Sequence, residues 1–313
     1  MLDFVFQTIK LMRPKQWMKN FLVYASIIFT GQLFNPIGLW QATLTFVIFC
    51  FTSSGIYIIN DLLDIQKDRK HPFKRFRPLA SGKLPIWFAI SVAAILLGGS
   101  LYASLFSVSF FLVVALYVGI QLCYSLVFKH IEVVDILVLA SGYVLRAYGG
   151  EVATNYHMPV WLALTIVSLS LFLAVGKRKG ELTLIGSLPE KAIKEIRPTL
   201  SHYSEQLLDV YASIFATATF VFYTLFTFLV SPGGGKITID VLLPDYLPSF
   251  FQRKWLMLTI LPVIYGLMRY LQDIYEKHEG ESPEKVFLAD KPLIIAVAVW
   301  AILVIAIIYF VQA

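Results

Sequence analysis

Long stretches without Asp, Glu, Lys or Arg alternate with short charged segments along this chain of 313 residues. A membrane-spanning helix needs about 20 apolar residues, so the two longest stretches have to fold back once. The pattern therefore predicts an all-α, polytopic membrane protein. The charge-free stretches cover residues 20–60, 84–128, 152–176, 210–235, 255–268 and 293–313.

The turning points within the long stretches complete a prediction of about nine transmembrane helices. The sequence NPIG at 35–38 breaks the first stretch, and the weaker region 104–109 breaks the second. An eight-helix count would place both termini on the same side of the membrane. The nine predicted helices cover residues 16–34, 39–60, 85–104, 109–128, 132–149, 159–176, 207–230, 254–272 and 292–311.

Composition supports this class and excludes a soluble globular protein. Apolar residues make up 58% of the chain and charged residues only 15%, and the mean hydropathy is +0.73. Cys50 and Cys123 fall within predicted spans, which argues against a disulfide framework. We expect one transmembrane domain over residues 1–313, with no nucleic-acid partner. The sequence does not specify the oligomeric state.

The distribution of basic residues predicts the orientation in the membrane. Of the 26 Lys and Arg residues, 22 fall in loops on one side of the predicted topology and 3 on the other, while Arg146 lies inside a helix. Loops rich in Lys and Arg face the cytoplasm. We therefore predict a plasma-membrane protein of a bacterial or archaeal cell, with its amino terminus and its main charged loops in the cytoplasm.

The most polar segment, NDLLDIQKD at 60–68, follows the second predicted helix. Asp61, Asp64 and Asp68 are spaced i, i+3, i+7, so they share one face if the helix continues past Asn60. Three carboxylates on one face repel each other unless a cation joins them. Oxygen ligands of this kind suit Mg²⁺, which binds through one or two carboxylates plus substrate phosphates. The alternative is a solvated helix end with mixed charges.

Basic residues follow this acidic segment closely. Lys74, Arg75 and Arg77 would neutralise phosphate oxygens that the metal leaves uncovered. Positive loops on the cytoplasmic side need no further purpose, so topology alone also explains them. Topology does not explain the aspartates, because acidic residues contribute little to it.

Several motifs carry a resemblance to a known family. NDLLDIQKD resembles the N-D-x-x-D-x-x-x-D motif of the UbiA superfamily of intramembrane prenyltransferases. The resemblance implies a UbiA-like helical bundle with a cytoplasmic-facing active site, in which the aspartates hold Mg²⁺ against a substrate diphosphate. Further segments resemble the decaprenyl-phosphate phosphoribosyltransferase branch: MRPKQWMKN at 12–20, DRKHPFKRFRPLASG at 68–82, YSLVFKHIEVVDILVLASGYVLRAYGG at 124–150, GKRKGEL at 176–182 and ESPEKVFLADKP ending at 292.

Membership of that branch would define the reaction. It implies transfer of 5-phosphoribose from phosphoribosyl diphosphate to a polyprenyl phosphate, for cell-envelope glycan synthesis. The loop after the sixth predicted helix agrees, because its acids form no second paired-aspartate motif. Lys177, Arg178 and Lys179 open that loop with three positive charges, which suit a lipid phosphate. The alternative within the superfamily is prenyl transfer to an aromatic acceptor such as 4-hydroxybenzoate.

Four further residues are candidates for the substrate site. The resemblance implies a site role for Tyr124 and Lys129, although interfacial anchoring explains both residues as well. Lys15 and Lys19 would line the donor site or anchor the first helix.

Arg146 is the one cation inside a predicted span, where a charge is costly and usually functional. It would contact a substrate phosphate, or form a structural pair with Asp135 or Glu151. A transporter or channel is the third functional class, but its ionisable residues would lie at mid-membrane in several helices. Here nearly all of them gather at one side.

Overall fold

The computed structural model describes residues 2–70, 74–185, 198–230, 254–276, 286–287 and 289–311. Every regular element longer than one residue in these ranges is a helix, which confirms the all-α class. Short 3₁₀ turns lie at Lys74–Phe76, Phe128–His130, Pro198–His202 and Trp255–Thr259. The α-helices are α1 (Leu2–Met12), α2 (Ala25–Phe29), α3 (Pro36–Leu63), α4 (Ile65–Lys70), α5 (Ile86–Ser104), α6 (Val108–Leu126), α7 (Val134–Thr154), α8 (Val160–Ile185), α9 (Glu205–Leu229), α10 (Ile260–Glu276) and α11 (Lys291–Phe310).

An α-helix lies at eight of the nine predicted positions, and the predicted break between α5 and α6 falls at residues 105–107. The largest boundary error concerns α8, which was expected to end at 176 but continues to Ile185. The cations at 177–179 therefore lie on a helix and not in a loop. Residues 231–250, between the predicted helices 207–230 and 254–272, lie outside the described residues.

The remaining predicted helix, residues 16–34 and the first along the chain, was wrongly predicted to be one regular helix. The chain instead forms a 3₁₀ segment, Pro14–Tyr24, followed by the short α2. Runs of 3₁₀ helix longer than a few residues are uncommon, because their hydrogen bonds are poorly aligned. Pro14 lacks an N–H group, and Arg13 before it adopts a left-handed conformation with φ of 54°. This irregular segment relies on contacts with other helices, described below.

Seven helical segments of the described chain are long and apolar enough to cross a membrane. Judged by the length and composition of its helices, the described part of the chain thus contains seven candidate spans and not the predicted nine. The segment 14–24 and α7, which carries Asp135, Arg146 and Glu151, are not among the seven. Only 17% of the apolar window in Ile86–Ser104 is buried, so most of its side chains face outward, as suits hydrocarbon surroundings.

The chain divides into two compact units by its internal contacts. Unit 1 comprises Met1–Tyr24, Trp40–Ala153 and Leu188–His202, and unit 2 comprises Ala25–Leu39, Thr154–Ser187 and Tyr203–Ala313. A buried apolar cluster in unit 1 fixes the end of α3 that carries the aspartates. It joins α1, α3, α4 and α5 through Leu11, Ile58, Ile65, Leu79, Leu84, Ala89 and Ala93. Packing on several sides holds the acidic segment in place.

Unit 2 contains α8 to α11, and buried polar side chains link its helices. The Tyr223 hydroxyl is 2.6 Å from the Thr259 hydroxyl and accepts a hydrogen bond of 2.8 Å from the Trp300 indole. Asp290 caps α11 by accepting from the backbone N–H of Leu293 at 3.0 Å. The same carboxylate pairs with Arg269 of α10 through two hydrogen bonds, of 2.9 and 2.8 Å.

Candidate active site

The aspartates lie where α3 passes into α4. Helical hydrogen bonding continues across this junction, because the N–H of Asp64 donates to the Asn60 carbonyl and the N–H of Asp68 donates to the Asp64 carbonyl. Asp61 and Asp68 are 3% and 5% exposed, and Asp64 is half-buried. Asn60 is half-buried beside them. The helical continuation that the sequence pattern required is therefore present.

Each aspartate contacts a cation from another segment of unit 1. Arg77 Nη1 lies between two carboxylates, 2.9 Å from Asp61 Oδ1 and 2.7 Å from Asp68 Oδ2. The Arg13 guanidinium contacts the same Asp61 oxygen. Lys129 Nζ donates to Asp64 Oδ1 at 2.8 Å. Asp61 and Asp68 thus converge on one nitrogen atom, whereas Asp64 is held separately.

These ion pairs offset two unfavourable features of the acidic segment. Removing carboxylates from water is costly unless they are paired and hydrogen-bonded, and the carboxyl end of a helix repels negative charge. Burial raises the pKa of the Asp68 carboxyl, and the neighbouring Arg77 offsets part of that rise. The cations therefore offset part of the cost of burying carboxylates at this helix junction.

The donor set fits a hard divalent cation in its chemistry. Asp61 and Asp68 are close enough to contact one atom, and carboxylate oxygens are suitable Mg²⁺ ligands. In the described ranges, no three His, Cys, Asp or Glu side chains form a group able to hold a metal. A pair of carboxylates still meets the requirement, because Mg²⁺ typically takes its remaining ligands from substrate phosphates and water.

Four other residues that were predicted for the substrate site are exposed or half-buried. Arg75 is exposed and packs over the Phe76 ring at 4.8 Å, and Lys15 is also exposed. Lys74 is half-buried in the same 3₁₀ turn. Tyr124 is half-buried in the last turn of α6, five residues before Lys129. Their contribution to a substrate site stays a prediction.

Arg146 connects α7 to the irregular 3₁₀ segment and to α6. Its guanidinium donates to Asn20 Oδ1 at 2.6 Å, to the Tyr117 hydroxyl at 2.7 Å and to the Gly142 carbonyl. These acceptors are neutral, so the pair with Asp135 or Glu151 considered from the sequence is not the one formed. Arg146 is 4% exposed. This buried cation therefore serves as a hydrogen-bonding centre of unit 1.

Further contacts fix the 3₁₀ segment against α3 and α7. The Trp17 indole donates to the Ser54 hydroxyl at 3.0 Å, and Lys19 lies over the Tyr143 ring at 5.8 Å. A side chain at Gly150 would stand only 2.0 Å from the carbonyl oxygen of Val23. The absent side chain lets the two backbones meet directly. These contacts hold the segment in place. Arg13, which directly precedes the segment, contacts Asp61.

The basic residues of α8 belong to unit 2 and are paired with acids there. Arg178 is fully buried and donates to Glu181 at 2.6 Å. Lys179 contacts Asp209 of α9, which also accepts from the Tyr275 hydroxyl at 2.6 Å. Lys177 is half-buried. Local acids therefore balance Arg178 and Lys179, which the sequence pattern alone did not indicate.

Arg13 is the residue of this site that the sequence analysis did not select. It stands in the MRPKQWMKN motif, where Lys15 and Lys19 were chosen instead. A non-glycine residue with positive φ is uncommon, and such conformations cluster at functional sites. Only the folded chain reveals that conformation and its contact with Asp61. Tyr57, whose ring lies 5.2 Å from the Arg13 guanidinium, has no sequence signal of its own.

The fold and the charged site define a multi-pass, all-helical membrane protein with paired carboxylates and cations at a helix end. Comparison with known proteins identifies the family to which the chain belongs within this class. The sequence model of the UbiA prenyltransferase family matches residues 21–290. The chain belongs to the UbiA prenyltransferase family, and the protein is a transferase.

Relatives of known name extend over nearly the whole chain. It is 35% identical to decaprenyl-phosphate phosphoribosyltransferase of Mycolicibacterium smegmatis over 307 residues, covering 96% of this chain and 92% of the relative. It is 33% identical to the protein of the same name from Corynebacterium glutamicum, covering 96% and 86%. The resemblance recognised from the motifs is therefore confirmed.

A solved structure supports the fold independently. The structure of a UbiA homologue from Archaeoglobus fulgidus bound to GPP and Mg²⁺ aligns with a TM-score of 0.68. The alignment covers 96% of this chain and 99% of the homologue, at 19% sequence identity. The UbiA-like arrangement of helices predicted from the sequence is thus confirmed.

Proposed function

We propose that this protein transfers 5-phosphoribose from phosphoribosyl diphosphate to a polyprenyl phosphate, with Mg²⁺ as cofactor. The product, a polyprenylphosphoryl-5-phosphoribose, would serve cell-envelope glycan synthesis. Relatives that carry the name of this activity support the choice of substrates. The homologue bound to Mg²⁺ supports the choice of metal.

One structural observation carries the proposal: three carboxylates at the end of α3, each in contact with a cation from another segment. Asp61 and Asp68 would hold the metal. Arg13 and Arg77 contact these two carboxylates and Lys129 contacts Asp64, so the three cations are our candidates for binding phosphate oxygens on that metal. Carboxylates beside Arg and Lys suit a metal-bound diphosphate, since metal and cations share its negative charge.

The proposed reaction breaks one bond to diphosphate and forms one bond to the lipid phosphate. A phosphate oxygen of the lipid attacks C1 of the ribose, and diphosphate leaves with the electron pair of its bond to C1. Arg13, Arg77 and Lys129 stabilise the charge that develops on the leaving diphosphate. Asp61 and Asp68 would hold Mg²⁺, which would supply Lewis-acid stabilisation to the leaving group. The lipid phosphate is already anionic, so the reaction needs no strong general base.

The location of the active site follows from the distribution of loop cations. The segments that carry the aspartates, Arg77 and Lys129 belong to the side with 22 of the 26 Lys and Arg residues. We therefore place the active site at the cytoplasmic face, where a water-soluble diphosphate donor is available. Lys177 and Arg178 remain our candidates for the lipid phosphate.

The proposal is tested with purified protein in lipid nanodiscs, labelled phosphoribosyl diphosphate and a polyprenyl phosphate. Label should pass to the lipid in a Mg²⁺-dependent manner. Asp61→Asn should abolish transfer while the protein keeps its elution volume, because the metal loses a charged ligand. Glu132→Gln is the matched control, since Glu132 is an acid of unit 1 that pairs with His202 at the surface.

The same preparation separates this function from the alternative in the superfamily. If wild-type protein ignores phosphoribosyl diphosphate but transfers a prenyl group from prenyl diphosphate to 4-hydroxybenzoate, the proposed substrates are wrong. Steady-state kinetics of single variants distinguish the residues that bind phosphoribosyl diphosphate from those that bind the lipid phosphate. Arg77→Ala should raise the apparent KM for phosphoribosyl diphosphate roughly tenfold, as expected for one lost charge-assisted hydrogen bond. Lys177→Ala should act mainly on the lipid phosphate.

A further inference from the structure

Each carboxylate of the acidic segment has a cationic partner supplied by the chain itself. Asp61, Asp64 and Asp68 contribute three negative charges, and Arg13, Arg77 and Lys129 contribute three positive charges. Arg77 Nη1 occupies the position between Asp61 and Asp68 that a metal ion shared by these two carboxylates would take. A metal can therefore reach both carboxylates only after the guanidinium has moved.

We propose that Arg13 and Arg77 hold the place of the metal in the ligand-free enzyme and transfer to the diphosphate when it binds. The metal and the diphosphate then enter together, and the metal alone binds weakly. This inference rests on the proposed function only in requiring a metal-bound diphosphate as substrate. It assigns a binding role to Arg13.

Charge balance gives the reason for this binding order. A divalent cation entering alone would displace guanidinium groups from Asp61 and Asp68 and leave them without a negative partner. The metal ion and the displaced guanidinium groups would then lie close together with like charges, beside carboxylates that are only 3% and 5% exposed, so they would repel each other. A diphosphate entering with the metal supplies oxygens to which both displaced guanidinium groups can donate, and it restores the balance.

The two arginines are placed so that they can exchange partners. The side chains of Arg13 and Arg77 are 22% and 25% exposed, so each guanidinium borders open space. Arg146 provides the contrast within the same unit, because three neutral acceptors enclose it. A guanidinium fixed in that way could not follow a ligand. Arg13 and Arg77 are held by carboxylates that a metal can take over.

The test measures binding of Mn²⁺ alone, by electron paramagnetic resonance of the free ion, to purified protein without diphosphate or lipid. Arg77→Met should bind Mn²⁺ at least about tenfold more tightly than wild type, because a competing charge-assisted contact is gone. Lys67→Met is the matched control. It removes one charge beside Asp68, but Lys67 is exposed, so Mn²⁺ affinity should change less than about twofold.

A second arm adds inorganic diphosphate. After correction for the Mn²⁺ that diphosphate chelates in protein-free samples, wild-type protein should bind Mn²⁺ at least about tenfold more tightly than without diphosphate, whereas Arg77→Met should lose most of this gain. Introducing Asp61→Asn into Arg77→Met should abolish the tighter binding of Mn²⁺ alone, which locates the ion. Arg13→Met should behave as Arg77→Met does.

Two results would overturn the inference: Mn²⁺ binding by Arg77→Met no tighter than by Lys67→Met, or wild-type binding that diphosphate does not strengthen. The second result needs no variant, so it decides the matter even if Arg77→Met fails to fold. Neither measurement uses phosphoribosyl diphosphate or a polyprenyl lipid. Failure of the inference therefore leaves the proposed function standing, and failure of the transfer assay leaves the binding order to be judged separately.

Discussion

Among the buried charges of unit 1, Arg146 differs from Asp61 and Asp68 because its partners are neutral. Its guanidinium joins Asn20 of the 3₁₀ segment, Tyr117 of α6 and the Gly142 carbonyl of α7. A planar group with several fixed donors suits three acceptors in different directions, and a lysine ammonium does not replace it. The structure therefore supports a role for Arg146 in holding segments together, and the phosphate contact considered from the sequence stays a prediction.

The substitution Arg146→Lys tests this assignment. Loss of the planar guanidinium should lower the free energy of unfolding by about 1 to 3 kcal/mol for each buried acceptor left unsatisfied. The unfolding temperature should therefore fall clearly. Arg75→Lys, at an exposed position, should change stability by less than about 0.5 kcal/mol. The measurement is thermal unfolding in detergent with KM values for both substrates. An unchanged unfolding temperature with a raised KM would instead indicate a substrate contact.

At the scale of elements, charge-free length predicted α3, α5, α6 and α8 to α11, because each of these is a long apolar helix over most of its length. The same signal failed for residues 16–34, where the chain is apolar but irregular. Its shape depends on Gly150, Arg146 and Ser54, which are distant in sequence. The three aspartates were visible as a local spacing. The partners Arg13 and Lys129 were not paired with them, because no local pattern specifies a contact across 48 or 65 residues.

Gly150 tests the contact between α7 and the 3₁₀ segment. An added methyl group would meet the Val23 carbonyl at 2.0 Å, so Gly150→Ala should displace the segment and lower both stability and transfer activity. Gly119→Ala is the matched control, because nothing lies within 4 Å of the added atom on α6. Its stability should stay equal or rise by up to about 1 kcal/mol. Equal unfolding temperatures for the two variants would contradict the close packing.

Asp290 lies in a stretch whose role the sequence did not reveal, and the structure gives it two roles. It caps α11 and pairs with Arg269 of α10. Asp290→Asn keeps a capping oxygen and loses the charge, whereas Asp290→Ala loses both. The alanine variant should therefore unfold more easily than the asparagine variant by about 1 kcal/mol. Chemical denaturation of both variants measures the difference, and identical midpoints would exclude the cap as a contributor.

At the scale of the whole molecule, loop cations predict which surfaces face the cytoplasm. In a background without Cys50 and Cys123, single cysteines at Lys83 and Glu205 should react with an impermeant maleimide only from the cytoplasmic side. A cysteine at His157 should react only from outside. All three positions are exposed. Labelling of all three from one side would overturn the predicted topology, and a mirrored result would reverse its orientation.

The contact between Arg146 and Asn20 has a consequence for synthesis of the protein. The two residues are 126 positions apart, so at about 5 to 20 residues per second the ribosome needs roughly 6 to 25 s to make the second after the first. During that interval the buried amide of Asn20 lacks its native donor, and the 3₁₀ segment lacks the backbone surface at Gly150. The 3₁₀ segment is thus among those that reach their final conformation late, and until then the insertion machinery or the membrane interface has to accommodate it.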